Sequence, residues 1–121
     1  MARAPRRVRE SFSPAWLERQ LAQLLPPGGA ALCVAFSGGL DSSVLLAALA
    51  PLRGPGRPVR ALHVDHHLQA RSPLWSAHCR RVARALGVPL KVLDVRVRRA
   101  RGASLEAAAR EARYRALAAE L

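Results

Sequence analysis

Seven consecutive residues between two apolar segments have the types and spacing of a phosphate-binding turn. They are Ser37, Gly38, Gly39, Leu40, Asp41, Ser42 and Ser43. The paired glycines can adopt positive φ and leave no Cβ between the backbone and a ligand. A helix that begins here directs its free N–H groups, and the positive end of its dipole, at an anion. The serines add hydroxyl donors and the aspartate adds a hard oxygen ligand for Mg²⁺, so the segment predicts a phosphate site.

Two common phosphate-binding motifs do not fit this segment. The Walker A motif needs a lysine after its second glycine, and the only lysine of the chain is Lys91. The dinucleotide-binding motif needs three spaced glycines, whereas this segment has one adjacent pair. The segment is therefore a glycine–serine turn of another kind.

The elements around the turn predict an α/β fold. Apolar runs predict strands at 30–36, 59–64 and 90–97, and helical periodicity predicts four helices that alternate with them. Ser13 and Pro14 open the first helix, Ser72 and Pro73 cap the third, and Gly87 ends the third. The order α-β-α-β-α-β-α predicts a Rossmann-like parallel sheet with helices on both faces. The carboxyl ends of its strands then meet at one edge, where the turn lies.

A second polar group follows the second strand. His63, Asp65, His66 and His67 have the residue types of a metal cluster. However, side chains alternate across a strand, so His63 and Asp65 share one face while His66 and His67 turn away. This alternation favours residues that line a nucleotide pocket, or ordinary loop residues, over a closed zinc site.

Composition limits the class of protein. A net charge of +12 on 121 residues implies an anionic partner, nucleic acid being the usual one, although a solvated basic surface is the alternative. Many of the arginines cluster at 3–9 and 96–101. No apolar run is long enough to cross a bilayer and no secretory signal is evident, which predicts a cytoplasmic protein. Cys33 and Cys79 are expected to be buried free thiols, and Trp75 and Tyr114 to be core residues.

The turn closely resembles the Ser-Gly-Gly-x-Asp-Ser loop of the PP-loop ATP pyrophosphatases. Within that superfamily the chain looks like a member of the tRNA(Ile)-lysidine synthetase family. The resemblance rests on Leu40 within the turn, on the segment 63–68 and on the helical segment 104–114, and it spans about 24–121. It implies an adenine nucleotide alpha-hydrolase-like fold, with a basic arm at 1–12 and the N-terminal part of the ATP-binding domain at 13–121.

This resemblance also implies a reaction and its participants. A ligase of this kind adenylates the wobble cytidine of an isoleucine tRNA with ATP and Mg²⁺, joins free lysine to it, and releases AMP and pyrophosphate. The implied nucleotide-binding residues are the seven residues of the turn, His63 and Asp65. The implied catalytic residues are Asp41, which is also the metal ligand, with Arg110 and Arg113 on one face of the last helix. These arginines could contact the α-phosphate or tRNA, or be surface charges.

The sequence also leaves two alternative functions open. One is a tRNA sulfurtransferase of the same superfamily, and another is a non-catalytic module that binds nucleotide or RNA. The chain departs from the family pattern at Gln69, where arginine is common. The family's domain continues with two more strands and a segment that contains His and Asp, so we expect this chain to be part of a longer protein. The oligomeric state, including a homodimer, is left open.

Overall fold

The structure is a computed structural model that describes residues 11–68, 71–97, 102 and 104–121. Most of the predicted basic arm and Gln69 lie outside these residues, as do Arg98, Arg99 and Arg101. The helices and strands follow the predicted order. They are α1 (Pro14–Leu24), β1 (Leu32–Ala35), α2 (Leu40–Leu49), β2 (Val59–Asp65), α3 (Ser72–Leu86), β3 (Leu90–Asp94) and α4 (Leu105–Glu120), with a single 3₁₀ turn (Ala50–Leu52) after α2.

The three strands form one parallel sheet in the order β1-β2-β3. Leu32 is in register with Val59 at the start of the first pair, and Asp65 is in register with Asp94 at the end of the second. The carboxyl ends of β2 and β3 therefore lie side by side. The segment after β1 emerges at the same edge. This confirms the predicted α/β fold with a parallel sheet.

The two faces of the sheet carry different helices. Val59 and Ala61 of β2 belong to the main core, which also contains side chains from α1, α2 and α3. Because side chains alternate along a strand, Arg60 and Leu62 face the opposite side, where α4 lies. Arg60 donates to the Glu120 carbonyl oxygen at 3.0 Å. Lys91 forms an ion pair with the Glu120 carboxylate at 2.8 Å, so the end of α4 is tied to two neighbouring strands.

Local sequence explains most helix ends. Ser13 caps α1 by accepting a hydrogen bond from the Trp16 N–H, and Ser104 caps α4 in the same way through the Ala107 N–H. Gly87 ends α3 with φ of +68°. Within the described residues, no helix has the length and apolar character to cross a membrane.

Three sequence predictions need correction here. Ser72 does not cap α3: it is the first helical residue, Arg71 takes the cap position, and no side chain there bonds the helix end. β3 ends at Asp94 rather than at residue 97. Only one of the two free thiols is fully buried, because Cys79 lies in the core while Cys33 is half-buried on β1.

Candidate functional site

The phosphate loop, which we define as residues 37–43, turns sharply out of β1 into α2. Gly38 adopts φ of +85°, a left-handed conformation that a side chain would strain. Gly39 is the N-terminal cap of α2 in an extended conformation, and no side chain caps the helix there. The sequence therefore folds as strand, glycine turn and helix, as predicted.

Serine hydroxyls hold the inside of the phosphate loop. Ser42 Oγ lies 2.9 Å from Ser37 Oγ and accepts a hydrogen bond from the Gly38 N–H at 3.1 Å. Ser37 Oγ accepts a hydrogen bond from the Gly39 N–H at 3.2 Å. Both glycine amides thus already have protein partners. The predicted role of Gly38 and Gly39 as phosphate donors would require the serines to give way.

The next three amides of the loop are different. The N–H groups of Leu40, Asp41 and Ser42 form the first turn of α2 and have no acceptor among the described residues, whereas the Ser43 N–H donates to the Gly39 carbonyl oxygen. Leu40, the first residue of the helix, is 80% exposed. Free amides at the positive end of a helix dipole form a site for an anion. The loop therefore has an accessible anion-binding face.

Side chains from β2 and α3 support the other side of the loop. His63 Nδ1 lies 2.9 Å from the Phe36 carbonyl oxygen, and because a carbonyl only accepts, this nitrogen carries the proton. From α3, the Trp75 indole N–H donates to the Ser37 carbonyl oxygen at 2.7 Å. The Cys79 thiol donates to the same carbonyl at 3.7 Å, and burial raises the pKa of this thiol. Both carbonyls that lead into the loop are therefore bonded to the protein.

A cavity of about 550 Å³ opens beside the loop at the carboxyl edge of the sheet. Its walls come from the ends of β1 and β2, from α3 and from α4. Four residues predicted for the site line it: Ser37, His63, Asp65 and Arg113. Leu62 and Leu117 give it an apolar side, which suits a ring or an aliphatic group more than a bare ion. Its size and position suit a nucleotide-sized ligand that reaches the loop.

The cavity is also lined by two aromatic residues that we expected in the core. Trp75 is 46% exposed and Tyr114 is 55% exposed, so the prediction that both are core residues is wrong. On α4, Ala108 is buried, whereas Tyr114 lines the cavity. Trp75 bonds the loop at one end and stacks on His78 at the other, with ring centroids 5.0 Å apart. Their proximity to the loop depends on how α3 and α4 pack, which the local sequence does not show.

Arg110 and Arg113 flank Tyr114 on α4. Their guanidinium carbons lie 5.5 Å and 5.6 Å from the centre of the tyrosine ring, within the range of a cation–π contact. A hydrogen bond and the positive charge from Arg110, supported by Arg113, lower the pKa of Tyr114. Arg113 lines the cavity and Arg110 does not. The predicted proximity of the two arginines is confirmed, while their catalytic role stays a prediction.

The polar residues after β2 form a hydrogen-bonded cluster with β3. Asp65 accepts bonds from the His67 N–H at 2.9 Å and from the Ser76 hydroxyl at 3.0 Å. Burial of Asp65 favours the neutral acid, but these two bonds and the nearby His67 ring outweigh it, so the pKa of Asp65 lies below its usual value. His67 has φ of +54°, and its Nε2 lies 2.8 Å from Asp94 Oδ1.

This cluster changes the sequence interpretation of the histidines. His63 and Asp65 share a face as predicted, but His67 does not turn away, because its ring lies against both carboxylates. Ligand atoms of Asp65, His67 and Asp94 lie within 4.8 Å of one another. Sequence reasoning missed Asp94, although the pairing of the last residues of β2 and β3 was the signal that could have found it. His66 faces the cavity instead, and its buried Nδ1 has no partner among the described residues.

Asp41 stands apart from the cavity. Its carboxylate is exposed in the first turn of α2, beside the free amides, and it lines a separate depression of about 270 Å³ with Phe12 and apolar residues of α2. Asp41 therefore lies with the amides at the start of α2, whereas His63 and Asp65 lie at the cavity. Its role as a metal ligand stays a prediction. The polar atoms of His63 and Asp65 are bonded within the protein, so these residues shape the cavity wall.

Comparisons with known proteins agree with this geometry. A family model described as the PP-loop domain matches residues 14–121. The chain is 54% identical over 111 residues to a tRNA(Ile)-lysidine synthase of Alkalilimnicola ehrlichii, a match that covers 91% of this chain and 24% of that protein. It is 55% identical over 111 residues to one of Pseudomonas aeruginosa, which covers 87% and 24%. The chain thus spans about a quarter of the length of the curated relatives it matches.

A solved structure shares the fold at low sequence identity. It is a U34-tRNA thiolase from Methanococcus maripaludis with its [4Fe-4S] cluster, with a TM-score of 0.53, 16% identity, and coverage of 66% of this chain and 29% of that one. At this identity the likeness concerns the fold alone. The family match extends from the start of α1 to the last residue and includes the phosphate loop and the cavity walls. The chain belongs to the PP-loop domain family.

Proposed function

We propose that this chain is the ATP-binding part of a ligase that forms lysidine on an isoleucine tRNA in the cytoplasm. In this reaction the carbonyl oxygen of the wobble cytidine attacks the α-phosphate of ATP, and pyrophosphate leaves. The ε-amine of free lysine then displaces AMP. The relatives of about 50% identity, which are named tRNA(Ile)-lysidine synthases, support this assignment. The net charge of +12 supports a tRNA partner.

One observation carries the proposal: the loop that begins with Ser37, which lines a cavity of about 550 Å³, ends in three free amides at the start of α2. An ATP molecule with its pyrophosphate part at the N–H groups of Leu40, Asp41 and Ser42 can place the rest of the nucleotide in the cavity. The amides stabilise negative charge as it builds on the departing pyrophosphate. Because they are fixed by the helix, they need no reorganisation during the reaction.

The residues present also fit a Mg²⁺ ion. Mg²⁺ is usually held by one or two carboxylates together with phosphate oxygens, and Asp41 offers an exposed carboxylate with no ion-pair partner among the described residues. Asp41 would hold the ion, which neutralises phosphate charge when bound. Arg113 at the cavity wall would contribute a guanidinium to the α-phosphate or to tRNA, with Arg110 beside it.

The alternatives are less well supported by the chemistry of the site. A sulfurtransferase would need a reactive thiol or an iron–sulfur cluster held by cysteines. Cys79 is fully buried with a raised thiol pKa, which disfavours the thiolate, and Cys33 lies on a different element. A binding module without catalysis predicts that ATP is bound but never cleaved. Transfer of AMP from ATP to tRNA, followed by its release on adding lysine, distinguishes the ligase from both alternatives.

The test is transfer of labelled AMP from ATP to an isoleucine tRNA transcript by the full-length protein, followed by its release on adding lysine. We expect Asp41→Asn to abolish AMP transfer, and Glu106→Gln, which changes the exposed acidic residue in the first turn of α4, to leave it intact. Wild-type protein that binds ATP without ever labelling the tRNA would favour the binding module. Labelling that persists in Asp41→Asn would remove the proposed role of that carboxylate.

A further inference from the structure

We propose that Trp75 is a positioning residue of the phosphate loop, which keeps the Ser37 carbonyl turned away from the bound phosphates. This inference rests on the proposed ATP site and adds a residue that none of the loop motifs contains. Trp75 lies on α3, 38 residues further along the chain than Ser37. Its contribution comes from the way α3 packs against the turn.

The peptide group between Ser37 and Gly38 is held at both ends. Its carbonyl accepts the Trp75 indole N–H at 2.7 Å, and its N–H donates to Ser42 Oγ at 3.1 Å. In a trans peptide the carbonyl and the N–H point in opposite directions. The bond from Trp75 therefore fixes which of the two groups faces α3 and which faces the start of α2.

Glycine makes this orientation easy to lose. Gly38 has φ of +85°, and a glycine can exchange positive and negative φ with little cost. A peptide group turned the other way would present a carbonyl oxygen, with its partial negative charge, toward the amides that receive the phosphates. The Trp75 ring also covers the glycine, because a Cβ on Gly38 would lie 3.3 Å from two ring atoms. The indole thus acts through the loop and not through the ligand.

The indole also lines the cavity and is half exposed, so its fluorescence can report on binding at the loop. The chain has two tryptophans, and Trp16 lies on α1 against Phe12, with ring centroids 5.7 Å apart. Trp16→Phe is therefore a matched control in which Trp75 is the one tryptophan left among these 121 residues. Trp75→Phe removes the indole donor and keeps an aromatic ring.

The experiment measures binding of ATP, pyrophosphate and adenosine by titration calorimetry to the full-length wild type, Trp75→Phe and Trp16→Phe. Loss of one hydrogen bond that orders the loop should raise the dissociation constants of ATP and pyrophosphate about 2- to 10-fold in Trp75→Phe. The constant for adenosine, which has no phosphate, should stay unchanged. A general loss of structure would weaken all three ligands, so the contrast between them identifies a positioning role. Trp16→Phe should bind all three as the wild type does.

Fluorescence decides the matter if Trp75→Phe does not fold. In Trp16→Phe, pyrophosphate should change the emission of Trp75, because it binds at the loop whose Ser37 carbonyl accepts the indole N–H. The proposal is overturned if Trp75 emission is insensitive to pyrophosphate, or if a folded Trp75→Phe binds pyrophosphate as tightly as the wild type. A wild type that binds neither ATP nor pyrophosphate would instead overturn the proposed function, and this inference with it.

Discussion

Replacing Gly38 by alanine places one methyl group at the most crowded point of the phosphate loop. The new Cβ would lie 2.6 Å from the Cys79 sulfur and 3.3 Å from the Trp75 ring, both of which belong to α3. The left-handed φ of +85° adds about 1–2 kcal/mol for a residue with a side chain. Overpacking against buried neighbours adds about 1–3 kcal/mol. We therefore expect Gly38→Ala to lower the free energy of unfolding by about 2–5 kcal/mol.

Urea denaturation followed by circular dichroism measures this loss. With a slope of about 1–3 kcal/mol per molar urea, the midpoint should fall by about 0.7–5 M. Gly39→Ala is the matched control, because Gly39 has φ of −71° and its Cβ would meet only Ser37 Oγ, at 3.5 Å. We expect the control to lose less than about 1 kcal/mol, the scale of a changed helix cap.

A second substitution separates the two sources of strain. Cys79→Ala removes the sulfur nearest to the new methyl group, so Gly38→Ala should cost less in that background than in the wild type. The cost of the backbone conformation should remain, and a double-mutant cycle reports the difference. Equal urea midpoints for Gly38→Ala and Gly39→Ala would show that the loop has neither this conformation nor this packing.

Three further predictions concern charge. Asp41→Asn should change the free energy of unfolding by less than about 1 kcal/mol, because it removes only a favourable charge at a helix start. It should nevertheless lower the rate of AMP transfer about 100-fold or more. Comparable losses of stability and of activity would contradict a metal-binding role. Because the pKa of Asp65 is lowered in the folded protein, its carboxylate stabilises the fold above about pH 4, and this stability is lost as the pH falls through the folded-state pKa. Urea midpoints should therefore decline more steeply below about pH 4 in the wild type than in Asp65→Asn. Parallel plots of midpoint against pH for the two proteins would contradict this. Tyr114 is the one tyrosine of these 121 residues, so an ultraviolet absorbance titration reports its pKa. This pKa should lie below the usual tyrosine value in the wild type and should rise in Arg110→Gln. An unchanged pKa in that variant would rule out Arg110 as the cause.

The fold and the phosphate loop could be predicted because local signals agree there. Pro14 behind Ser13, the left-handed Gly87 and the glycine pair after an apolar strand each act within a few residues of themselves. The alternation of apolar strands with helices then limits the topology to a parallel sheet. Leu40 to Ser42 follow as the first turn of α2, with their amides free, from the same local pattern.

Contacts between distant elements could not be predicted in this way. The bond from Trp75 to Ser37 joins α3 to the loop, and its existence depends on the rotation of α3 about its own axis. An apolar position on a helix predicts a core residue, which is why Trp75 and Tyr114 were placed wrongly inside. The prediction that His67 turns away has no support from strand alternation, which puts residues 63, 65 and 67 on one face; β2 ends at Asp65, and the positive φ of His67 sets where its ring lies.

We propose that the amides at the start of α2 receive the pyrophosphate part of ATP. Nitrogen–proton correlation spectra of the labelled protein, recorded during titration with magnesium pyrophosphate, test it residue by residue. We expect the amide signals of Leu40, Asp41 and Ser42 to move and saturate together, while the signals of Gly54 and Gly87, on other turns, stay in place. Shifts confined to arginine-rich surfaces, with the three loop amides unmoved at saturation, would contradict it.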